Sequence, residues 1–172
     1  MKTLLLLGVA LLMNTSVARA DHLGVYSDGS GASCALAPGF TSTATVLHKF
    51  TLGTRGSSFG LELPAGSVFF GFSTAFSPPL PPEAGTITLD YGTCLQGSFV
   101  VGTIVAILEP GTLWVRPGGG LANVMVTDCD LVEKAATCGG AYVGPNLGYC
   151  PSCETVATEQ TTWGAVKSLY RE

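Results

Sequence analysis

The sequence is poor in charged residues, which occupy only 12% of its 172 positions, and it contains only two histidines. A shortage of lysine and arginine argues against a nucleic-acid partner, because phosphate binding needs clustered basic side chains. After residue 20 no apolar run is long enough to span a bilayer, so no membrane-spanning helix is predicted. The chain is instead rich in glycine and in apolar residues.

Residues 1–20 have the three parts of a secretory signal peptide. Lys2 provides a basic start, an apolar run extends from Leu4 to Met13, and the segment ends in Ala18-Arg19-Ala20. The apolar run is too short to form a stable membrane anchor, and position 21 is not a cysteine that could carry a lipid. We therefore predict cleavage before Asp21 and an exported protein that is periplasmic or extracellular.

Residues 21–172 are long enough to form one domain with its own core. They contain six of the eight basic residues and all twelve acidic ones, so the mature chain is acidic. We predict a β-sandwich domain over residues 21–154. Residues 155–172 are predicted to form a linker and a short amphipathic segment.

The dominant hydrophobic period is two residues, as expected for strands with one buried face. Ile87, Leu89 and Tyr91 alternate with polar residues, which predicts a half-buried strand. Residues 77–82 are proline-rich and are predicted to form an extended loop. The whole pattern predicts an all-β fold, an antiparallel β-sandwich of about eight strands, at residues 23–27, 44–50, 58–63, 67–72, 86–91, 99–108, 112–116 and 123–127.

Six cysteines in an exported chain are most simply interpreted as three disulfides, and they allow 15 pairings. Four of the six lie between positions 129 and 153, so we expect disulfides within that C-terminal third. Cys34 and Cys94 would then pair with each other. The six disulfide candidates are Cys34, Cys94, Cys129, Cys138, Cys150 and Cys153.

The end of the chain changes to a helical period. Trp163, Val166 and Tyr170 share one helical face, and Lys167 and Arg171 lie four residues apart on another. These five residues are candidates for docking, because aromatic side chains dominate interface energetics. Two alternatives remain open for this short predicted helix: it packs on its own sandwich, or it is presented to export or surface-assembly machinery.

Two patterns resemble hydrolase signatures. Residues 56–60 match G-x-S-x-G, but both histidines precede Ser58 and the segment continues as a strand, which contradicts a nucleophile elbow. The order His48, Asp90, Ser98 resembles that of a chymotrypsin-like triad, but the chain is short for that fold. His48 itself is interpreted as a surface or half-buried packing residue.

The cysteines also allow a redox or a zinc hypothesis. Cys150 and Cys153 form a C-x-x-C motif, but no βαβ pattern precedes it. A zinc site from Cys129, Cys138, Cys150 and Cys153 would lack the second C-x-x-C of a zinc ribbon. Because exported thiols usually oxidise, we predict no metal and no cofactor at these positions.

Two groups of acidic residues are weak candidates for calcium or for acid–base chemistry. Asp128 and Asp130 flank Cys129 and would share one strand face, and Asp28 lies with Ser30 in a glycine-rich turn. No calcium-binding repeat accompanies either group. We therefore interpret all three carboxylates as solvated loop residues.

Two segments resemble parts of known exported proteins. His22-Leu23-Gly24-Val25-Tyr26-Ser27-Asp28, followed by Ser33-Cys34, resembles the mature start of uncharacterised exported bacterial β-rich proteins. Residues 162–171, Thr-Trp-Gly-Ala-Val-Lys-Ser-Leu-Tyr-Arg, are similar to a short C-terminal tail found on diverse exported bacterial proteins. The resemblance implies an origin in the bacterial envelope or outside the cell, and it implies no activity.

The leading hypothesis is a non-catalytic exported β-sandwich that binds a partner or assembles at a surface. Its partner would be an extracellular or envelope protein, a glycan or another copy of the chain, and no catalytic residue is assigned. The alternative is a secreted hydrolase with a carboxylate-based site. That alternative predicts that one pocket holds at least three of Asp28, His48, Asp90, Glu109, Asp128 and Asp130.

Overall fold

A computed structural model describes residues 21–76, 85–144 and 149–153. The described residues form nine strands and no α-helix, which confirms the predicted all-β class. The predicted C-terminal helix and the loop at 77–82 lie outside the described residues. The strands are β1 His22–Tyr26, β2 Ala35–Leu36, β3 Thr41–Glu62, β4 Val68–Ser73, β5 Ile87–Ile107, β6 Gly111–Arg116, β7 Val124–Asp128, β8 Glu133–Val143 and β9 Ser152–Cys153.

The strands are ordered β1-β8-β6-β3-β5-β4, and β1 also pairs with β3. Strand β7 lies between β3 and β8, while the short β2 and β9 pair with β8. Most neighbours are antiparallel, as predicted. The exceptions are β1 and β2, which run parallel to β8. The sheet is therefore mixed.

Strand β3 joins two segments that were predicted as separate strands, at 44–50 and 58–63. Its pairing with β5 continues through four register shifts, and Phe50 within it has a positive φ of 63°. The first part of β3 pairs with β1 and β5, and its last three residues pair with β6. The strand pairings thus divide into two layers: one contains β1, β4, β5 and β7, and the other pairs β2 and β6 with the ends of β8 and β3. Because β3 contributes to both, it connects the two layers. Strand β5 likewise joins the segments predicted at 86–91 and 99–108.

Strand β8 was not predicted from the sequence. Its residues are mostly small, with Ala136, Cys138, Gly139, Gly140 and Ala141 all buried, so it has few of the β-branched residues and none of the regular alternation that indicate a strand. Its contacts explain the small residues. A Cβ atom on Gly139 would lie 2.9 Å from the His22 ring.

The core lies between the two layers and contains Leu23, Phe59, Ile104 and Leu113, all fully buried. The predicted period of two holds in β5, where Ile87, Leu89 and Tyr91 are buried while Thr88 and Asp90 are exposed. Among the described residues, no helix is both long and apolar enough to cross a membrane.

All six cysteines form disulfides, as predicted, in the pairs Cys34–Cys150, Cys94–Cys129 and Cys138–Cys153. The predicted pair of Cys34 with Cys94 is wrong, and only Cys138–Cys153 lies within the C-terminal third. The carbonyl of Cys34 accepts a hydrogen bond from Tyr142 N at 2.7 Å, which places Cys34 beside the end of β8. Cys94 instead meets Cys129 across Gly53, where a Cβ atom would lie 2.8 Å from the Cys129 sulfur.

Candidate binding face

Strand β6 presents an unusual set of side chains to the outside of its sheet. Leu113 and Val115 are fully buried, so the alternating residues Thr112, Trp114 and Arg116 point away from the core. All three are partly exposed. An outward-facing tryptophan between a threonine and an arginine is not needed for the core of the sandwich.

Trp114 lies between two neighbouring strands, directly opposite Gly140 of β8 and Glu62 of β3. A Cβ atom on Gly140 would lie 2.9 Å from the indole ring, so the glycine leaves room for the ring to lie close to the backbone. The Arg116 guanidinium lies over the ring, 4.3 Å from its centroid, and Arg116 Nε donates to Glu62 Oε2 at 2.9 Å. The indole and the guanidinium therefore support each other as a stack.

Two tyrosines extend this surface. Tyr142 is opposite Thr112, which places it diagonally next to Trp114 on the same face. Its ring meets that of Tyr149 edge to face, with 5.7 Å between the centroids. A hydrogen bond with Tyr149 raises the pKa of Tyr142, so the Tyr142 hydroxyl stays protonated at neutral pH. Tyr149 is well exposed.

Disulfides hold the edges of this surface. Cys138–Cys153 fixes β9 beside β8, and Arg116 Nη1 approaches the Cys153 sulfur at 3.7 Å. Cys34–Cys150 anchors the residue that follows Tyr149. We call this surface the Trp114 face; it consists of Glu62, Thr112, Trp114, Arg116, Tyr142 and Tyr149.

The chemistry of the Trp114 face suits binding. Tryptophan, tyrosine and arginine are the residue types that most often contribute strongly at protein interfaces. The face combines aromatic surface with hydroxyl, guanidinium and carboxylate groups that can satisfy a partner's polar atoms. Sequence reasoning missed this face, although the alternation in β6 already indicated that Trp114 and Arg116 point outward.

The five predicted docking residues, Trp163, Val166, Lys167, Tyr170 and Arg171, lie outside the described residues. The last residue that the structure describes before this segment is Cys153. It pairs with Cys138 of β8 and lies next to Arg116. The docking role of the C-terminal segment therefore stays a prediction.

The carboxylates proposed for a hydrolase do not converge within the described structure. An open cavity of about 230 Å³ is lined by Arg55, Gly56, Thr88, Leu89, Asp90, Thr127 and Leu131. Of the six residues named for the hydrolase hypothesis, only Asp90 lines it. Asp90 also accepts a hydrogen bond from Gly92 N at 2.7 Å, which stabilises a turn. This arrangement does not support the hydrolase alternative.

His48 is fully buried, and the expectation of a surface or half-buried position is wrong. Its Nε2 atom lies 3.2 Å from Asp21 Oδ1, and its ring packs against Phe99 with 5.3 Å between the centroids. Burial raises the pKa of the Asp21 carboxyl, but hydrogen bonds from His48 and Thr51 outweigh it and hold this pKa below its usual value. A substrate could not reach His48, whereas Asp90 and Ser98 are exposed. The triad order in the sequence is therefore not a triad in the fold.

Another buried polar contact, between Ser57 and Tyr91, joins β3 and β5 next to His48. Ser57 Oγ and Tyr91 Oη are 2.6 Å apart, and burial raises the pKa of Tyr91 strongly. Ser58 lies within β3, where its Oγ donates to Thr88 Oγ1 at 3.1 Å. The G-x-S-x-G match is therefore part of a strand rather than a turn.

The acidic loop residues have structural partners. Asp128 ends β7 and accepts hydrogen bonds from Asp130 N and Val132 N, each at 2.9 Å, and it pairs with Lys134. Asp130 follows β7 in a turn, so the expected shared strand face is wrong. Asp28 accepts hydrogen bonds from the backbone of Ser30 and Ser33, and with the Ser30 hydroxyl they lower its pKa to about 2. Both carboxylates order their loops.

The described residues contain no group of three histidine, cysteine or acidic side chains placed to hold a metal ion. All six cysteine sulfurs are in disulfides, so none is available as a zinc ligand or as a redox thiol in this state.

Two solved structures resemble this fold over most of the chain. A chain in the crystal structure of a CaDoc0917–CaCohA2 complex at pH 5.5 is 12% identical with a TM-score of 0.49, and the match covers 72% of this chain and 99% of that one. The non-cellulosomal cohesin from the hyperthermophilic archaeon Archaeoglobus fulgidus is 14% identical with a TM-score of 0.49, covering 73% and 92%. No protein-family model and no curated protein matches the chain. Similarity at this level does not identify the role of the chain.

Proposed function

We propose that the chain is a non-catalytic exported β-sandwich that binds a protein partner through the Trp114 face. The observation that carries the proposal is the outward stack of Trp114 and Arg116 on the middle strand of a disulfide-bound sheet. Burying an arginine already paired with Glu62 and stacked on an indole costs little side-chain entropy, because its geometry is fixed before binding.

A protein partner fits this surface better than a small molecule does. The Trp114 face extends over three strands, whereas small-molecule sites are usually compact and concave. The Arg116–Glu62 pair is about half exposed, so it would form part of a polar rim around the aromatic residues.

Export is part of this proposal. It is supported by the signal-like residues 1–20, by three disulfides that need an oxidising compartment, and by the resemblance to exported bacterial proteins. N-terminal sequencing of the protein recovered from the periplasm or medium should begin at Asp21. Recovery of exported protein that begins at Met1 would contradict the signal peptide.

The binding proposal is tested with tagged residues 21–172, in oxidised form, incubated with envelope and extracellular fractions of the source cells. Quantitative mass spectrometry compares the wild type with Trp114→Ala, Arg116→Ala and Tyr149→Ala. We expect one protein to be captured by the wild type and lost with all three variants. Its affinity, measured with the purified pair, should fall about 30-fold or more for Trp114→Ala, as for a hot-spot residue.

Phe40→Ala is the matched control, because Phe40 is an exposed aromatic residue that does not belong to the Trp114 face. It should capture the same protein with unchanged affinity. Circular dichroism checks that each variant is folded. If no protein depends on the Trp114 face, the proposal fails; binding to a glycan array that is lost with Trp114→Ala would replace the protein partner with a glycan.

A further inference from the structure

A cavity of about 230 Å³ opens on the outer side of the sheet, where β3 lies between β5 and β7. Gly56 of β3 is opposite both Asp90 of β5 and Thr127 of β7, and all three residues line the cavity. A Cβ atom on Gly56 would lie 2.7 Å from the Leu89 carbonyl oxygen, so no side chain fits there. The bare backbone of Gly56 therefore leaves space between its two neighbours.

A bulge in β3 turns Arg55 toward the same outer side. Thr54 and Ser57 are buried, Arg55 is exposed, and the register with both neighbouring strands shifts between Thr54 and Gly56. The extra residue lets Arg55 face the solvent together with Gly56, instead of alternating with it. Thr54 Oγ1 holds the bulge, because it donates to the carbonyls of Thr127 and Gly56 at 2.9 and 3.2 Å.

Leu131 forms another wall of the cavity in a conformation that leucine rarely adopts. Its φ is 64° and its side chain is 65% exposed, and both are unfavourable for a bulky apolar residue. Asp128 maintains this conformation: its carbonyl accepts a hydrogen bond from Leu131 N at 3.1 Å, and its carboxylate accepts one from Val132 N at 2.9 Å. Backbone strain that the surrounding structure maintains is concentrated at functional sites.

The two charged residues of the lining have unused bonding capacity. Among the residues that the structure describes, Arg55 is the one basic side chain without a bonded oxygen atom, whereas Lys49, Arg116 and Lys134 each bond one. Asp90 Oδ1 accepts a hydrogen bond from the backbone of the next turn at 2.7 Å, and Oδ2 has no partner within the described ranges. The cavity therefore offers one cation and one carboxylate oxygen on neighbouring strands.

We infer that this cavity binds a free α-amino acid with an apolar side chain. The planar guanidinium of Arg55 matches a carboxylate through two parallel hydrogen bonds, and Asp90 accepts hydrogen bonds from the α-ammonium group. A simple anion is repelled by Asp90 and a simple cation by Arg55, so a ligand with both charges is favoured. Leu131 provides apolar contact, and Thr88 and Thr127 provide hydroxyl groups.

The size and shape of the cavity fit this ligand. Drug-sized molecules occupy pockets of about 300–1,000 Å³, so a smaller cavity suits a single amino acid. Arg55 and Asp90 lie on strands about 5 Å apart, whereas the two terminal charges of a longer peptide lie farther apart. The cavity shares no residue with the Trp114 face, so this binding and the proposed protein partner can fail independently.

Titration of oxidised, ¹⁵N-labelled residues 21–172 with L-leucine, from about 0.1 to about 20 mM, tests the inference by NMR; this range detects the weak binding expected of an open cavity. We expect the amide signals of Gly56, Thr127 and Leu131 to shift with a dissociation constant of about 1 mM. L-Leucinamide lacks the carboxylate and N-acetyl-L-leucine lacks the ammonium group, so each should bind about 10-fold or more weakly. Absence of these shifts, or equal binding of either analogue, would overturn the inference.

Arg55→Gln and Asp90→Asn should each raise the dissociation constant for L-leucine about 10-fold or more. Asparagine can still accept the hydrogen bond from Gly92 N, so the turn is kept. Glu109→Gln is the matched control, because Glu109 is exposed and does not line the cavity; it should bind like the wild type. Near-UV circular dichroism and the absence of free thiols show that each variant is folded. Unchanged binding by the first two variants would also contradict the inference.

Discussion

The Nε2 atom of His48 lies 3.2 Å from Oδ1 of Asp21, which joins the first residue of the predicted mature chain to the buried centre of β3. The other ring nitrogen of His48, Nδ1, is buried and has no hydrogen-bond partner among the described residues. The carbonyl of Asp21 also accepts hydrogen bonds from Thr137 N and Oγ1, at 2.9 and 3.1 Å. Asp21 therefore links β3 with β8 at the start of β1.

Replacing Asp21 with alanine should destabilise the fold. The change removes the Nε2 partner of a histidine that is fully buried, so we expect a loss of about 1–3 kcal/mol in the free energy of unfolding. Urea denaturation followed by tryptophan fluorescence measures this loss. Asp130→Ala, at an exposed turn position, is the control and should change stability by less than about 0.5 kcal/mol. Equal effects of the two changes would contradict a stabilising role for the pair.

Stability should decrease as the pH falls from about 6.5 to about 4 because of His22. Burial, with the positive charge of Lys49, lowers the pKa of His22 to about 4, so in this range the unfolded state binds a proton that the folded state does not. The full contribution is present above the ordinary histidine pKa and decreases towards the folded-state pKa; over the whole interval it amounts to about 3 kcal/mol.

The test compares urea unfolding of the wild type with that of His22→Gln at pH 7 and pH 4.5. The variant should lose less stability on acidification, because glutamine does not titrate. Its amide can still bond the Thr137 hydroxyl that His22 Nδ1 contacts at 2.9 Å. Identical pH dependence in both proteins would exclude His22 as the source.

The disulfides should contribute unequally. Cys34–Cys150 connects residues 116 positions apart, whereas Cys138–Cys153 connects residues 15 apart. Since a longer closed loop restricts the unfolded chain more, replacing the first pair with serines should cost about 1–2 kcal/mol more than replacing the second. Urea unfolding of the two double variants measures the difference.

The oxidised wild type should show no free thiol when it is denatured. Two or more reactive thiols would contradict the three disulfides.

Deleting residues 161–172 distinguishes the two roles left open for the C-terminal segment. If the segment packs on its own sandwich, we expect a lower melting temperature and normal localisation. If it is a docking signal, we expect unchanged stability and protein in the wrong location. Differential scanning calorimetry and cell fractionation provide the two measurements. An unchanged result in both would show that the segment is dispensable.

The candidate site was only partly predictable. Leu113 and Val115 occupy alternate positions, so the outward direction of Trp114 and Arg116 follows from the sequence once β6 is recognised as a strand. Tyr142 joins them only because β8 pairs with β6, and β8 itself could not be recognised from its small residues. The burial of His48 was also missed, because its partner Asp21 is 27 positions away.

The amino-acid sequence by itself determined the all-β class, the strands with alternating residues such as Ile87 to Tyr91, and the oxidised state of the six cysteines. These features depend on local periodicity and on composition, which are present in any short stretch of the chain. Only the tertiary structure decided which cysteines pair, where β8 lies, and which aromatic residues share the Trp114 face. Those features depend on contacts between residues up to 116 positions apart, and they form because β3 and β8 bring distant strands together, which no local pattern encodes.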